Sequence, residues 1–225
     1  MAAYNKEKDV ETAVQDDPKT REELKQVFEN TARWQPGFKG FSADILVNIN
    51  GKEEKGAVTV KGSQEIEISV QNEGLRKFAA ENLASIAMHR GPRSFEESDG
   101  KHKLVYGEDD AHPLGRSVIM GGDGMSSFYR IKEGRIHQIN RKTPRFSFSI
   151  NVEESVKNEE GKFLTRKYTV YYFNGESGAL KDVESYTDDY LRVGKADLPR
   201  SRRVINCENG AVVVSSMSLS NHKVL

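Results

Sequence analysis

Cysteine is almost absent. Cys207 stands alone among 225 residues, so no disulfide can form within the chain. That scarcity fits a reducing compartment. Net charge is missing too, because 34 basic residues balance 34 acidic ones. The balance removes the global basic excess that marks nucleic-acid binders. Residues 1–20 are rich in charge and contain no apolar segment of the ~7–15 residues needed by a secretory signal. No stretch reaches the ~20 apolar residues of a membrane span. These absences lead us to expect a cytoplasmic protein, or a stromal one if a plastid transit segment has been removed, with no nucleic-acid partner and no membrane span.

Catalytic and metal signatures are missing as well. The five histidines, His89, His102, His112, His137 and His222, form no His-x-x-x-His pair, and a lone cysteine makes no Cys-x-x-Cys. His102 and His112 flank Glu108-Asp109-Asp110, but a zinc site needs three or four converging ligands, and solvated loop residues explain this segment. Gly-x-Ser-x-Gly is absent, so no nucleophile elbow exists. Gly121-Gly122-Asp123-Gly124 resembles a phosphate loop only in composition. Such a loop must open a helix, whereas Ser126 to Ile131 alternates like a strand, so a hairpin turn is expected. No metal and no cofactor is expected. Cys207 follows Val204-Ile205-Asn206 in a strand pattern and reads as a small buried apolar residue.

What is present is periodicity. Residues 1–17 are polar and read as a flexible segment. Thr20-Arg21-Glu22-Glu23 has capping-box form, and Leu24, Val27, Phe28, Thr31 and Ala32 follow at helical spacing. This predicts a helix over 20–34, stopped by Pro36 and Gly37. Phe41, Ala43, Ile45, Val47 and Ile49 alternate strictly, as a half-buried strand does. Asn50-Gly51 is a hairpin turn, Ala57 to Val60 returns, Gly62-Ser63 turns again, and Ile66, Ile68 and Val70 alternate. Asn72 caps a second helix over 73–90, with Leu75, Phe78, Ala79, Leu83, Ile86 and Ala87 as its apolar stripe and Gly91-Pro92 as its stop. Further strands are predicted near 103–108, 115–121, 126–132, 135–141, 145–153, 163–173, 181–192, 200–207 and 211–219. Glu133-Gly134 and Asn209-Gly210 mark hairpins among them. The expected fold is α+β, mainly β: a highly curved antiparallel sheet, an open or half barrel, covered by two main helices. One domain over 18–225 is within the usual size for such folds.

The element order resembles the lipoprotein-carrier fold, the half-barrel of periplasmic lipoprotein localisation factors. Phe38-Lys39-Gly40-Phe41-Ser42-Ala43-Asp44 is similar to the strand that follows the first helix there, and Gly56-Ala57-Val58-Thr59-Val60 to its return strand. Over nearly its full length the chain more closely resembles a family of cyanobacterial and plastid proteins built on a domain of unknown function. The residues carrying that resemblance are Trp34-Gln35-Pro36-Gly37-Phe38-Lys39-Gly40-Phe41 and His89-Arg90 followed by Arg93-Ser94-Phe95. The carrier resemblance implies an apolar cavity beneath helices, here without an export signal.

Three functions follow as expectations. In the first, a non-enzymatic half-barrel binds an apolar or amphipathic molecule, such as a lipid, in a cavity lined by Phe41, Ile45, Val47, Val58, Leu83 and Ile86. An ordinary closed core would use the same residues. His89, Arg90, Arg93 and Glu96 would stand at the cavity mouth, although the negative end of the helix dipole explains His89 and Arg90 without any ligand. In the second, an assembly or scaffold protein docks an acidic partner through two basic clusters, Arg141, Lys142 and Arg145, and Arg200, Arg202 and Arg203. A solvated sheet face is the plain explanation of both clusters. In the third, an enzyme acts on a small molecule in the same cavity through His89, Arg90 and Glu96.

Overall fold

The computed structural model describes residues 15–108, 111–122, 127–143 and 146–225. These form α1 (Pro18–Glu29), β1 (Phe41–Ile49), β2 (Lys52–Gly62), β3 (Glu65–Ile68), α2 (Glu73–Arg90), β4 (Lys103–Tyr106), β5 (Arg116–Gly121), β6 (Ser127–Lys132), β7 (Arg135–Lys142), β8 (Phe146–Lys157), β9 (Phe163–Asn174), β10 (Leu180–Val193), β11 (Ala196–Glu208) and β12 (Ala211–Val224). The twelve strands make one antiparallel sheet in the order β3-β2-β1-β12-β11-β10-β9-β8-β7-β6-β5-β4. Sequence neighbours pair, except β3 and β4, which form the two edges, and β1 pairs with β12, setting Phe41 against Val224 and Ile49 against Ser215. The mainly-β antiparallel architecture with two helices is as the periodicity predicts. Residues 1–14, 109–110, 123–126 and 144–145 lie outside the described residues, so the loop reading at Asp123-Gly124 and most of the flexible-segment reading fall there.

Three hairpins turn on pairs in which both residues have positive φ: Asn50 (48°) and Gly51 (90°), Glu133 (53°) and Gly134 (70°), Asn209 (52°) and Gly210 (78°). Two-residue loops of that kind match the right-handed twist of the strands they join. Bulges interrupt the ladders at Ser42/Asp44, Val60/Gly62, Arg130/Ile131 and Asp189/Tyr190, and each bends its strand and increases the local twist. The sheet is open, with β3 and β4 at its edges. The β3 edge is short and carries Glu65 and Glu67, which discourages further pairing. The β4 edge is covered: Asp17 donates its backbone N–H to the Leu104 carbonyl at 2.8 Å, and the Asp16 carboxylate accepts the Leu104 N–H at 2.8 Å.

Contacts gather in two compact units. The first holds α1 and residues 94–164 and 168–183. Leu24, Val27 and Phe28 of α1 pack there with Leu104, Val118, Met120, Tyr129 and Ile131, and Phe95 meets Phe28 edge-on at 5.7 Å. The start of α1 differs from expectation. Asp17, not Thr20, is the N-cap; its carboxylate accepts the Lys19 N–H at 3.0 Å, and Pro18 occupies the first turn. The Thr20 hydroxyl instead donates back to Asp17 at 2.7 Å. Proline needs no N–H partner at that position and is preset for helical φ, so the helix begins before the capping-box pattern and ends at Glu29. Asp16 also pairs with Arg21 at 2.7 Å, so Asp16 and Asp17 are fastened to the fold.

The second unit holds residues 32–93, 165–167 and 184–225. Phe41, Ala43, Ile45 and Val47 of β1 point to one face and are buried with Val58, Val60, Leu198, Met217 and Leu219. Over them lies α2, which buries Leu75, Ala79, Leu83, Ile86 and Ala87. Its bounds and its Asn72 cap, which accepts the Leu75 N–H at 3.2 Å, are as the sequence predicts. Phe78, placed on the same stripe, is only partly buried against this core.

Gly40 sets the entry to β1. At φ +115° an added Cβ would lie 2.1 Å from the Val60 carbonyl oxygen and 2.8 Å from Lys61 Cα, whereas one at Gly37 (φ +85°) would meet nothing within 4 Å. We expect Gly37→Ala to cost ~1 kcal/mol, the price of a left-handed backbone. Gly40→Ala should cost roughly 2–3 kcal/mol, because backbone must shift as well. Equal urea midpoints for the two variants would refute the close-approach argument.

Candidate functional site

The six residues expected to line a cavity all fall in the second unit and in one cluster. Phe41 and Val47 are 0% exposed, Leu83 1%, Ile45 and Val58 2%, and Ile86 4%. Register explains the grouping: Ile45 lies opposite Gly56 on β2 and Leu219 on β12, and Val47 opposite Met217. Helical spacing then brings Leu83 and Ile86 onto the same layer. In this structure the layer is closed.

At one end this apolar layer meets a buried polar network. Met217 on β12 faces Arg202 on β11, and Arg202 faces Asp188 on β10. Arg202 is 4% exposed and Asp188 2%. The guanidinium grips the carboxylate through two bonds of 2.7 Å, Nε to Oδ1 and Nη2 to Oδ2. Its Nη1 donates to Asn82 Oδ1 of α2 at 3.3 Å, and its charge lies 5.2 Å from the Tyr186 ring centre. Arg202 was expected in an exposed docking cluster, and burial corrects that. A charge removed from water must be paired and hydrogen-bonded, and Asp188 supplies the pairing.

Arg90 joins from the last turn of α2. Its Nη1 donates to the Ala32 carbonyl at 3.0 Å and its Nη2 to the Tyr190 hydroxyl at 2.9 Å, with the guanidinium 4.7 Å from the Tyr190 ring centre. Tyr190 Oη lies 3.3 Å from Asp188 Oδ2 and 3.2 Å from the Thr165 carbonyl. Burial, first of all, pushes the Tyr190 hydroxyl pKa up, so it stays protonated and able to donate. Arg90 is therefore interior, not at a solvent-facing mouth. His89 is exposed, yet protein crowds its ring; Nδ1–H donates to the Ser85 carbonyl at 2.7 Å. That crowding, then the positive charges of Arg93, Arg202 and Arg90, lower its pKa. Arg93 is exposed and donates to the Met88 carbonyl at 2.9 Å.

The remaining candidates divide between the units. Arg200 is exposed and pairs with Asp189 at 3.2 Å, and Arg166 reaches the same carboxylate at 3.4 Å. Arg203 is exposed on β11, 3.5 Å from the Thr187 hydroxyl. In the first unit Glu96 pairs with Lys25 at 3.3 Å. Arg141 turns to the core side: its Nη2 donates to the Tyr129 hydroxyl at 2.5 Å, and that hydroxyl donates to Asp99 at 3.0 Å. Lys142 is half-buried, and Arg145 lies outside the described residues. A second tyrosine there, Tyr106, donates to Glu23 beneath the Arg116 guanidinium, and its pKa is pushed up to about 12, chiefly by burial. Cys207 is exposed, contrary to expectation. Among the described residues no three His, Cys, Asp or Glu side chains gather as a metal site, and no helix is long and apolar enough to cross a membrane.

Asp188, Tyr190 and Asn82 were not legible as site residues. One signal could have found the ion pair. Val193 pairs with Ala196 across Gly194-Lys195, and counting back through one bulge sets Asp188 against Arg202.

Residues 15–225 match the family described as "Protein of unknown function (DUF3386)". The chain belongs to this family. No curated protein matches it. Among solved structures it is similar to the LolA superfamily protein NE2245 from Nitrosomonas europaea. The identity is 9%, with 92% of this chain and 93% of that chain covered and a TM-score of 0.40. A likeness that distant carries no functional argument.

Proposed function

We propose that the protein binds rather than catalyses, and that its second unit takes up the apolar part of an amphipathic molecule between α2 and strands β1 and β2. The observation that supports this reading is the layer itself. Phe41, Ile45, Val47, Val58, Leu83 and Ile86 form a continuous apolar sandwich of helix on sheet. At one end, where Met217 pairs with Arg202, it meets the buried guanidinium groups of Arg202 and Arg90. A molecule with an apolar body and a polar end has the same polarity pattern. Uptake requires α2 to lift from the sheet, and the apolar chain then replaces the helix contacts at ~25 cal/mol for each Å² it buries.

Titration with a fluorescent fatty-acid analogue tests the reading. The wild-type protein is expected to bind at micromolar concentration. Ile45→Trp or Val58→Trp should abolish uptake, because the closed layer beneath α2 cannot hold both an indole and a guest; overpacking costs ~1–3 kcal/mol, so circular dichroism is the control that the variant remains folded. Failure of the wild-type protein to bind would sink the carrier reading. The exposed Arg200 and Arg203 would then become the leading feature, as a docking surface for an acidic partner.

A further inference from the structure

Resting on that reading, we propose that the site selects amphipaths with an anionic head group, and that the head seats on Arg202 and Arg90 in place of Asn82 when the C-terminal half of α2 lifts. Three observations carry this.

The two ends of α2 are held differently. At its start, Glu54 accepts the backbone N–H groups of Gln71 at 2.6 Å and Asn72 at 2.9 Å, and Val70, Leu75 and Ala79 are buried. Lifting that end exposes only apolar surface and breaks both bonds. At the other end Asn82 and Arg90 touch the Asp188–Arg202 network, Arg90 also donates to the Ala32 carbonyl at 3.0 Å, and its own carbonyl accepts the Trp34 N–H at 2.7 Å. Lifting this end lets water reach an ion pair whose burial was costly. Regained hydration offsets part of the loss of the Leu83 and Ile86 contacts and of the Arg90 bonds, and α2 opens from its C-terminal half once an anion is there to take up the freed guanidinium donors.

The helix contact to Arg202 is also the weak one. Asn82 Oδ1 sits 3.3 Å from Nη1, against 2.7 Å for each bond to Asp188. A charged oxygen in its place makes a shorter, charge-assisted bond, about twice as strong as one to a neutral amide.

Charge at this end favours an anion. Asp188 faces Arg202 directly, Arg90 through Tyr190, and Arg166, whose Nε donates to the Asp188 carbonyl at 3.3 Å. The neighbouring Asp189 is shared by Arg166 and Arg200. The depressed His89 pKa, lowered first by crowding and then by Arg93, Arg202 and Arg90, accords with an excess of positive potential.

The experiment uses the full chain and displaces the fluorescent probe with three molecules of equal chain length: hexadecanoate, hexadecyl phosphate and hexadecanol. Both anions are expected to compete about tenfold more tightly than the alcohol, and the tighter of the two names the head group as carboxylate or phosphate. In Arg90→Gln the ratio of hexadecanoate to hexadecanol affinity should fall several-fold, whatever change the loss of its bonds to Ala32 and Tyr190 brings to both, and far-ultraviolet circular dichroism shows whether the variant is folded. Hydrogen exchange with hexadecanoate bound should change at residues 83–90 and not at 73–79. Equal binding of all three molecules overturns head-group selection and leaves the carrier reading standing. Binding of none overturns the carrier reading itself.

Discussion

Arg202→Ala is expected to remove ~3–5 kcal/mol of stability, because it leaves the Asp188 carboxylate buried without its partner. Asp188 is 2% exposed and receives both of its 2.7 Å bonds from Arg202. Nothing of comparable strength replaces them, and water cannot reach the carboxylate while α2 is seated. A loss of that size is a large fraction of the ~5–15 kcal/mol by which domains are stable. Asp188→Ala should cost a similar amount by stranding the guanidinium. The double variant Asp188→Leu/Arg202→Met should recover most of the loss, since apolar residues of similar volume satisfy a dry site as well as the pair does. Urea unfolding followed by the fluorescence of Trp34, the only tryptophan in the chain and a residue of the second unit, measures all three. A single-variant loss under ~1 kcal/mol would mean that water or another group reaches the pair. A double variant no more stable than the singles would show that the pair contributes shape as well as charge.

The phase of β11 explains why this network was hidden in the sequence. Period-2 reading needs one parity to be clearly apolar. In β11 both parities carry apolar residues, Val204 on one and Ile205 and Cys207 on the other. The fold buries Arg202 and Val204 and turns Arg203, Ile205 and Cys207 outward. One choice of phase therefore accounts for two differences from expectation, the buried Arg202 and the exposed Cys207. Pro199 hid the start of the same strand, since proline lacks a ladder donor. It is tolerated opposite Tyr190 beside the bulge at Asp189/Tyr190, so β11 begins at Ala196. By contrast β1 and α2 were legible because each has one unmistakable apolar face and strong punctuation, Asn50-Gly51 for one and Asn72 with Gly91 for the other. The expectation of a single domain over 18–225 rested on the usual size of such folds. Contacts within the continuous sheet gather around two clusters, one under each helix, and periodicity carries no information about which helix covers which strands. The six apolar candidates could be grouped from pattern alone, but whether their layer stands open or closed depends on how far α2 sits from the sheet.

Phe41→Ala is expected to cost ~3–5 kcal/mol, against less than ~2 kcal/mol for Phe78→Ala. Phe41 is 0% exposed at the start of β1, where it pairs with both Val60 and Val224. Its ring lies edge-on to Trp34 at 6.1 Å and 6.0 Å from His222. Phe78 keeps part of its surface in water, so less apolar area is lost on truncation. The comparison bears on function as well as stability. Deleting a ring from a close-packed layer leaves a void, and the cost rises by ~24 cal/mol for each Å³ that the surroundings fail to fill. A ring lining space that already stands open would lose only its transfer contribution, ~1.5–3 kcal/mol. A loss at the upper end therefore means that the layer is closed in the absence of ligand, as its 0–4% exposures indicate, and that any apolar guest must displace α2 to enter. A loss below ~3 kcal/mol, within the transfer range, would instead place Phe41 on the wall of a standing cavity. Denaturant midpoints of the two variants, followed by far-ultraviolet circular dichroism, decide between these outcomes.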